Sequence, residues 1–243
     1  MAKDELFVPP GHFYSPIFLP GDAFGRTPAP TEAEIPMNLQ SQLELLNAIV
    51  PLGLKFPDSP SKSNFYYSNN DQYGDGDAFV FSGIVQYLRP SRVIEIGSGF
   101  STAVLMDTLL SLDLPAAITA IDPYPQRLEQ LLLDKESLLK PSVQVKIIPQ
   151  RVQEVDVQIY GTLEAGDILF IDSSHVSKTG SDVNFELFEI FPLLKPGVWV
   201  HIHDMFWPFE YPVEWIEQGR SWNENYLIRA YLTGNSRLRV RFF

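Results

Sequence analysis

The run Arg92-Val-Ile-Glu-Ile-Gly-Ser-Gly-Phe-Ser-Thr102 leaves few folds open. Arg92 to Ile96 is a short apolar, β-branched stretch that leads at once into Gly97 and Gly99. Ser101 then opens a helical pattern of Ala103, Val104, Leu105, Met106, Leu109 and Leu110. Strand, tight glycine turn and helix in that order predict the first unit of a doubly wound, mostly parallel α/β sheet. Such a unit binds its ligand at the carboxyl end of the strand, where glycines admit a close backbone and the helix N-terminus offers free N–H groups. Glu95 selects the ligand's charge: a carboxylate two residues before Gly97 opposes a pyrophosphate and favours a cation. Thr102 also stands where a dinucleotide fingerprint has its third glycine. An ordinary βα turn with incidental glycines is the plain alternative for this stretch taken alone.

The remaining chain repeats the strand and helix alternation. Ala117 to Ile121 reads as a second buried strand, ending in Asp122, which lies 25 residues beyond Gly97 where an acidic group would bond a ribose diol. Before Pro123 the same residue also reads as a simple turn former. Gln126 to Leu133 reads as a helix and Val143 to Ile148 as a third strand, after which Val152, Val155 and Ile159 have helical spacing. Gly166 to Asp172 is a fourth strand running into Ser173-Ser174-His175. A helix with Phe185, Phe188 and Phe191 follows, then Leu193-Leu-Lys-Pro-Gly197 and a fifth strand, Val198 to Asp204.

Upstream, residues 1–36 carry seven of the 20 prolines and the cluster Gly11-His-Phe-Tyr-Ser-Pro-Ile-Phe18. They predict an extended arm, packed on the domain or roofing the site with His12 and Tyr14. Leu39, Leu43, Leu46 and Val50 mark an accessory helix, and Asp75 or Asp77 caps another that carries Val80, Ile84, Tyr87 and Leu88. The expected division is therefore an arm and accessory helix over 1–74, able to cover the site, and a core over 75–243. Trp222 to Thr233 reads as a helix, and Arg237 to Phe243 as one period-two strand.

Glu95-x-Gly97-x-Gly99, with the Asp-ended fourth strand and Leu-Lys-Pro-Gly before the fifth, resembles the class I S-adenosylmethionine (AdoMet) dependent methyltransferases. The likeness spans about residues 75–205 and is nearest to an uncharacterised bacterial small-molecule (O-)methyltransferase group related to cephalosporin-hydroxylase-like proteins. It implies a Rossmann-like methyltransferase sheet with AdoMet held by Glu95, Gly97, Ser98, Gly99, Ser101, Asp122, Val152, Gln153 and Asp172. That family closes its sheet with an antiparallel pair, and here only one strand is available for it, so the last antiparallel strand is expected to be missing or a partner to protect the edge.

Strands of a parallel sheet present their carboxyl ends on one edge, so Asp172, His175, His203 and Asp204 should converge with the glycine turn. A hydroxyl acceptor with a pKa near 10 needs a base or a metal to ionise at neutral pH. His175, His203 and Asp172 are the catalytic candidates, and Asp172, His175 and Asp204 the candidate ligands of a divalent cation. By place in the fold, Asp172 and Asp204 match the metal-holding acids of catechol-type O-methyltransferases; Met205 replaces a further oxygen ligand. His12, Tyr14, Phe206 and Trp207 are the substrate-side candidates. Two other readings stay open: a 2-His-1-carboxylate iron enzyme and a non-catalytic AdoMet-fold binding protein.

Composition narrows the partners. The 30 acidic and 18 basic residues give a net charge of −12, with no basic track for nucleic acid. No cysteine is present, which removes thiolate chemistry, and the N-terminus lacks the apolar region of a signal peptide. A cytoplasmic, soluble protein acting on a small molecule is expected, with no membrane partner and a homodimer suited to the unpaired strand.

Overall fold

The computed structural model describes residues 6–22, 27–52 and 54–243; the predicted arm's residues 1–5 and 23–26, and Gly53, lie outside the described residues. Five strands, β1 (Arg92–Ile96), β2 (Ala116–Ile121), β3 (Val143–Ile148), β4 (Ile168–Ile171) and β5 (Trp199–Ile202), form one sheet in the order β3-β2-β1-β4-β5. Every pairing is parallel. Buried on both faces, these strands need no polar alternation, and β4 is buried at all four positions. The order reverses between β1 and β4, which places the ligand crevice of a doubly wound sheet beside the Gly97 turn.

Helices cover both faces. α1 (Leu39–Ile49), α2 (Asp75–Leu88), α3 (Phe100–Ser111) and α4 (Gln126–Asp134) precede β3. One face of the sheet buries Val93, Ile118 and Phe170 with Phe81 and Val85 of α2 and Val104, Leu105 and Leu109 of α3. The other buries Ile94, Ile121, Leu169 and Ile171 with Tyr160, Leu163 and Ile190. A third cluster joins Ile35 and Met37 of the arm to Val183, Leu187, Phe209 and Ile228, so the end of the arm is a built part of the domain. No helix among the described residues is long and apolar enough to cross a membrane.

Several local expectations change. The N-cap of α2 is Gly74, with Asp75 and Asp77 inside its first turn, where their charge favours the helix dipole. After β3 the chain makes two short 3-10 turns, Val152–Glu154 and Val157–Thr162, in place of one helix. The phenylalanine-rich segment starts as α5 (Asp182–Phe185), widens into a π-helical turn at Glu186–Ile190 and tightens at Phe191–Leu193. α6 (Val213–Glu217) was not expected, whereas α7 (Glu224–Leu232) lies within the predicted helix.

Residues 237–243 form no strand. The segment packs Val240 and Phe243 into the third cluster, and the Arg241 guanidinium lies 5.2 Å over the Trp199 ring of β5. Side-chain cover of the outer strand thus replaces a ladder partner. Leu39 and Leu43 of α1, with Val50 just after it, face outward at 65%, 54% and 51% exposure, while Leu45 and Ile49 are buried. Gly83 of α2 sets that choice, because a Cβ there would stand 2.7 Å from Ile49 Cβ.

Candidate active site

Backbone hydrogen bonds continue the parallel ladder one residue past each strand. Gly97 N donates to Ile121 O at 3.0 Å, Asp122 N to Ile148 O at 3.1 Å, Asp172 N to Ile96 O at 2.8 Å and His203 N to Ile171 O at 2.8 Å. Glycine turn, Asp122, Asp172 and His203 therefore share one edge. At Gly97 the backbone has φ +81°, and an added Cβ would lie 2.1 Å from Asp172 O, so only glycine lets the two strand ends approach.

Glu95 is 1% exposed, and both its carboxylate oxygens are engaged from α3: Ser101 Oγ donates to Oε1 at 2.5 Å and Thr102 Oγ1 donates to Oε2. Burial pushes its pKa up to about 8 against the pull of the two hydroxyls. Glu95 and Ser101 thus fasten the first turn of α3 to the end of β1. Ser98 binds Asp122 through both its N–H, at 3.0 Å, and its hydroxyl, at 2.9 Å, while the other Asp122 oxygen accepts Tyr124 N at 2.7 Å. Val152 is 4% exposed and belongs to the second core cluster. Gln153 Nε2 donates to Gly180 O at 3.0 Å, beside a cavity of about 240 Å³ lined also by Asn184 and Phe188.

Past the ends of β4 and β5, single ligand atoms of Asp172, His203 and Asp204 lie within 4.8 Å of one another. This is a donor set for a hard or borderline divalent cation, with His203 where the sequence suggested His175. His175 instead sits behind it, 5% exposed. Its Nδ1 meets Glu224 Oε2 at 2.9 Å, and its Nε2 meets Asp172 Oδ1 at 3.3 Å and Asp204 Oδ2 at 3.7 Å. Burial opposes the charged ring, but Asp172 and Glu224 outweigh it and carry its pKa up to about 10. An imidazolium so held is a donor that orients the two aspartates rather than a base at neutral pH. Burial raises the Asp172 carboxyl, yet the His175 hydrogen bond and the neighbouring histidines bring it below its ordinary value. His175 and Asp204 have φ +59° and +56°, a left-handed conformation costing roughly 1–2 kcal/mol per non-glycine residue.

His201 stacks on Phe170 at 4.3 Å, and burial drives its pKa down to about 3, which makes it a neutral core group. Trp222 covers the His175 ring at 4.5 Å and continues into Trp215 and Phe206, so Phe206 belongs to the wall next to the site. Trp207 packs on Phe209 and Phe243, towards the third cluster. His12 stacks on Phe13 and Tyr14 packs on it at a tilt; Phe13 is 80% and Tyr14 67% exposed, so this structure leaves both of those rings largely in solvent.

Four residues of the site were not singled out from sequence. Glu224 opens α7 beside His175, whose carbonyl accepts the backbone N–H groups of Asn223 and Glu224. Trp222 precedes it. Glu186, 1% exposed in the π-helical turn, accepts Ser173 Oγ at 3.3 Å. Tyr73 is 2% exposed with its ring 5.0 Å from His203, and its hydroxyl has no partner among the described residues.

A family model described as a methyltransferase domain matches residues 94–205, the span from β1 to the end of the Asp172–Asp204 cluster. An uncharacterized protein of Archaeoglobus fulgidus is 32% identical over 187 residues, covering 70% of this chain and 81% of that one. The chain belongs to one family with this Archaeoglobus fulgidus protein. Among solved structures, an S-adenosylhomocysteine (SAH) bound methyltransferase of Podospora anserina aligns at 16% identity and a TM-score of 0.44, over 81% of this chain and 80% of its own. A Corynebacterium glutamicum protein aligns at 13% and 0.35, over 82% and 81%. Neither score carries an argument; what links residues 94–205 to methyltransferases is the family model alone.

Proposed function

We propose that this protein is an AdoMet-dependent methyltransferase that methylates a hydroxyl oxygen of a small molecule, assisted by a divalent cation. The observation that carries the reading is the one sheet edge that brings the Gly97 turn and Asp122 together with the clustered ligand atoms of Asp172, His203 and Asp204. The residues fit the cofactor. Gly97 lets the ends of β1 and β4 close up beneath the turn, and Ser98 Oγ on Asp122 occupies a position that a ribose hydroxyl can take over with the same hydrogen bond.

When bound, AdoMet supplies an electrophilic methyl on a sulfonium. Methyl transfer is an in-line displacement, so the chain's task is alignment and exclusion of water. Gly97, Ser98 and Gly99 would hold the cofactor, and Gln153 would border its adenine. Asp172, His203 and Asp204 would hold the cation, which lowers the pKa of a hydroxyl next to it. His175, locked to Glu224, keeps Asp172 and Asp204 turned inward. Trp222, Trp215 and Phe206 form an aromatic wall suited to a flat acceptor.

Incubation with methyl-labelled AdoMet and a panel of catechols, phenols and amines, with and without chelator, tests the reading. Cation-dependent label on hydroxyl acceptors supports it. Transfer to amines alone, undiminished by chelator, rejects both the oxygen and the metal.

A further inference from the structure

A histidine that ligates a metal is ordinarily oriented by a hydrogen bond from its second ring nitrogen to a carboxylate or a carbonyl. His203 lacks one. Among the described residues the polar contact of its ring is Nε2 to Asp204 Oδ1 at 3.7 Å, too long for a hydrogen bond. Its backbone N–H on Ile171 O fixes the main chain and leaves the imidazole free to turn. The nearest ring is that of Tyr73, 5.0 Å away and inclined at 31°; His201 and Phe170 stand further off, at 6.1 and 6.3 Å. Orientation of this ligand therefore falls to ring packing, and Tyr73 supplies the closest face.

Tyr73 is itself clamped from both sides of its backbone. Asn70 Oδ1 accepts Tyr73 N at 2.7 Å, while Asn70 Nδ2 and Tyr66 Oη each donate to Tyr73 O at 2.9 Å. Tyr66 is fully buried, and its N–H, with that of Phe65, rests on the Asp107 carboxylate of α3. A continuous line of contacts thus runs from α3 through the loop before α2 and ends on the His203 ring. The Tyr73 hydroxyl adds nothing to that line: the residue is 2% exposed, yet its oxygen has no partner among the described residues. A buried hydroxyl left unmet is a cost to the fold, so the ring and not the oxygen is what this position provides.

We propose that Tyr73 is a positioning residue for His203: its ring, locked in place by Asn70 and Tyr66, holds the imidazole turned towards Asp172 and Asp204 so that the three can take one divalent cation. The proposal rests on the cation reading above and gives a face-to-face ring contact the task of the hydrogen bond that His203 lacks.

Titration with Mn²⁺, followed by the electron paramagnetic resonance of the free ion, reads the site without turnover, and urea midpoints report the fold alongside. Tyr73→Leu should weaken Mn²⁺ about tenfold to a hundredfold, the usual effect of removing a group that orients a ligand, while Tyr73→Phe keeps the wild-type affinity. Should Tyr73→Leu fail to fold, Asn70→Ala carries the same test through the clamp and should weaken the ion in the same direction. A lower urea midpoint with unchanged Mn²⁺ affinity in the folded variant overturns the proposal while the cation reading stands, since the role would then be structural alone. Equal loss in Tyr73→Phe and Tyr73→Leu overturns it as well, because the hydroxyl would be the working part. Wild-type protein that takes up no Mn²⁺ removes the cation reading and this one together.

Discussion

Replacing Gly97 by alanine perturbs the close approach of the β1 and β4 ends. Two costs can be separated. The first is conformational: φ is +81°, and a left-handed backbone costs an L-residue with a Cβ roughly 1–2 kcal/mol. The second is steric. The new Cβ would sit 2.1 Å from Asp172 O, a backbone atom that cannot swing away. Relief requires the ends of β1 and β4 to part, which strains the 2.8 Å bond from Asp172 N to Ile96 O. Overpacking of this kind costs about 1–3 kcal/mol and a weakened backbone bond about 1 kcal/mol more. Gly166 provides the control, with φ +89° and open space where its Cβ would go. Gly166→Ala should therefore show the conformational cost alone. Urea denaturation of both variants is expected to place Gly97→Ala about 2–4 kcal/mol below Gly166→Ala. Equal destabilisation would refute the claim that close strand approach, rather than turn conformation, dictates this glycine.

Two further variants probe buried carboxylates. Glu95 has a folded pKa of about 8 against an ordinary 4.5, so its contribution to stability is present below about 4.5 and is lost as pH rises through about 8. Between pH 5 and 8 wild-type stability should fall more steeply than that of Glu95→Gln, read from urea midpoints across pH; parallel profiles would contradict the burial cost. Asp107 of α3 accepts the buried N–H groups of Phe65 at 2.9 Å and Tyr66 at 2.8 Å, tying the loop before α2 to the core. Asp107→Ala strands both donors and should cost about 2–4 kcal/mol in thermal or urea unfolding, whereas a loss below about 0.5 kcal/mol would show that water or a shifted loop satisfies them.

The sheet was legible because β1, β2 and β4 are apolar runs that end at Gly97, Asp122 and Asp172, a pattern that a doubly wound fold imposes on strands buried on both faces. Helix orientation was less so. α1 carries leucines on two faces, and periodicity cannot choose between the Leu39–Leu43–Val50 stripe and the Leu45–Ile49 pair. Contact with Gly83 decides it, and that is a tertiary fact. Residues 237–243 alternate as a strand does, but the burial of Val240 and Phe243 and the seat of Arg241 on Trp199 outweigh pairing. In the site, Asp172, His203 and Asp204 could be read because each follows a strand. Tyr73, Glu186, Trp222 and Glu224 could not, because each reaches the crevice from an accessory element whose position depends on the packed core. Glu95 shows the opposite limit: its place in the motif was plain, yet its partners, Ser101 and Thr102, only appear once α3 is folded against β1.

The measurement that bears most directly on the account is calorimetric titration of the wild-type chain with AdoMet and with SAH. Saturable one-to-one binding of both, each excluding the other, is the predicted result for a methyltransferase whose cofactor site lies at the Gly97 turn. Absence of binding by either ligand, in protein shown to be folded, would contradict the cofactor assignment.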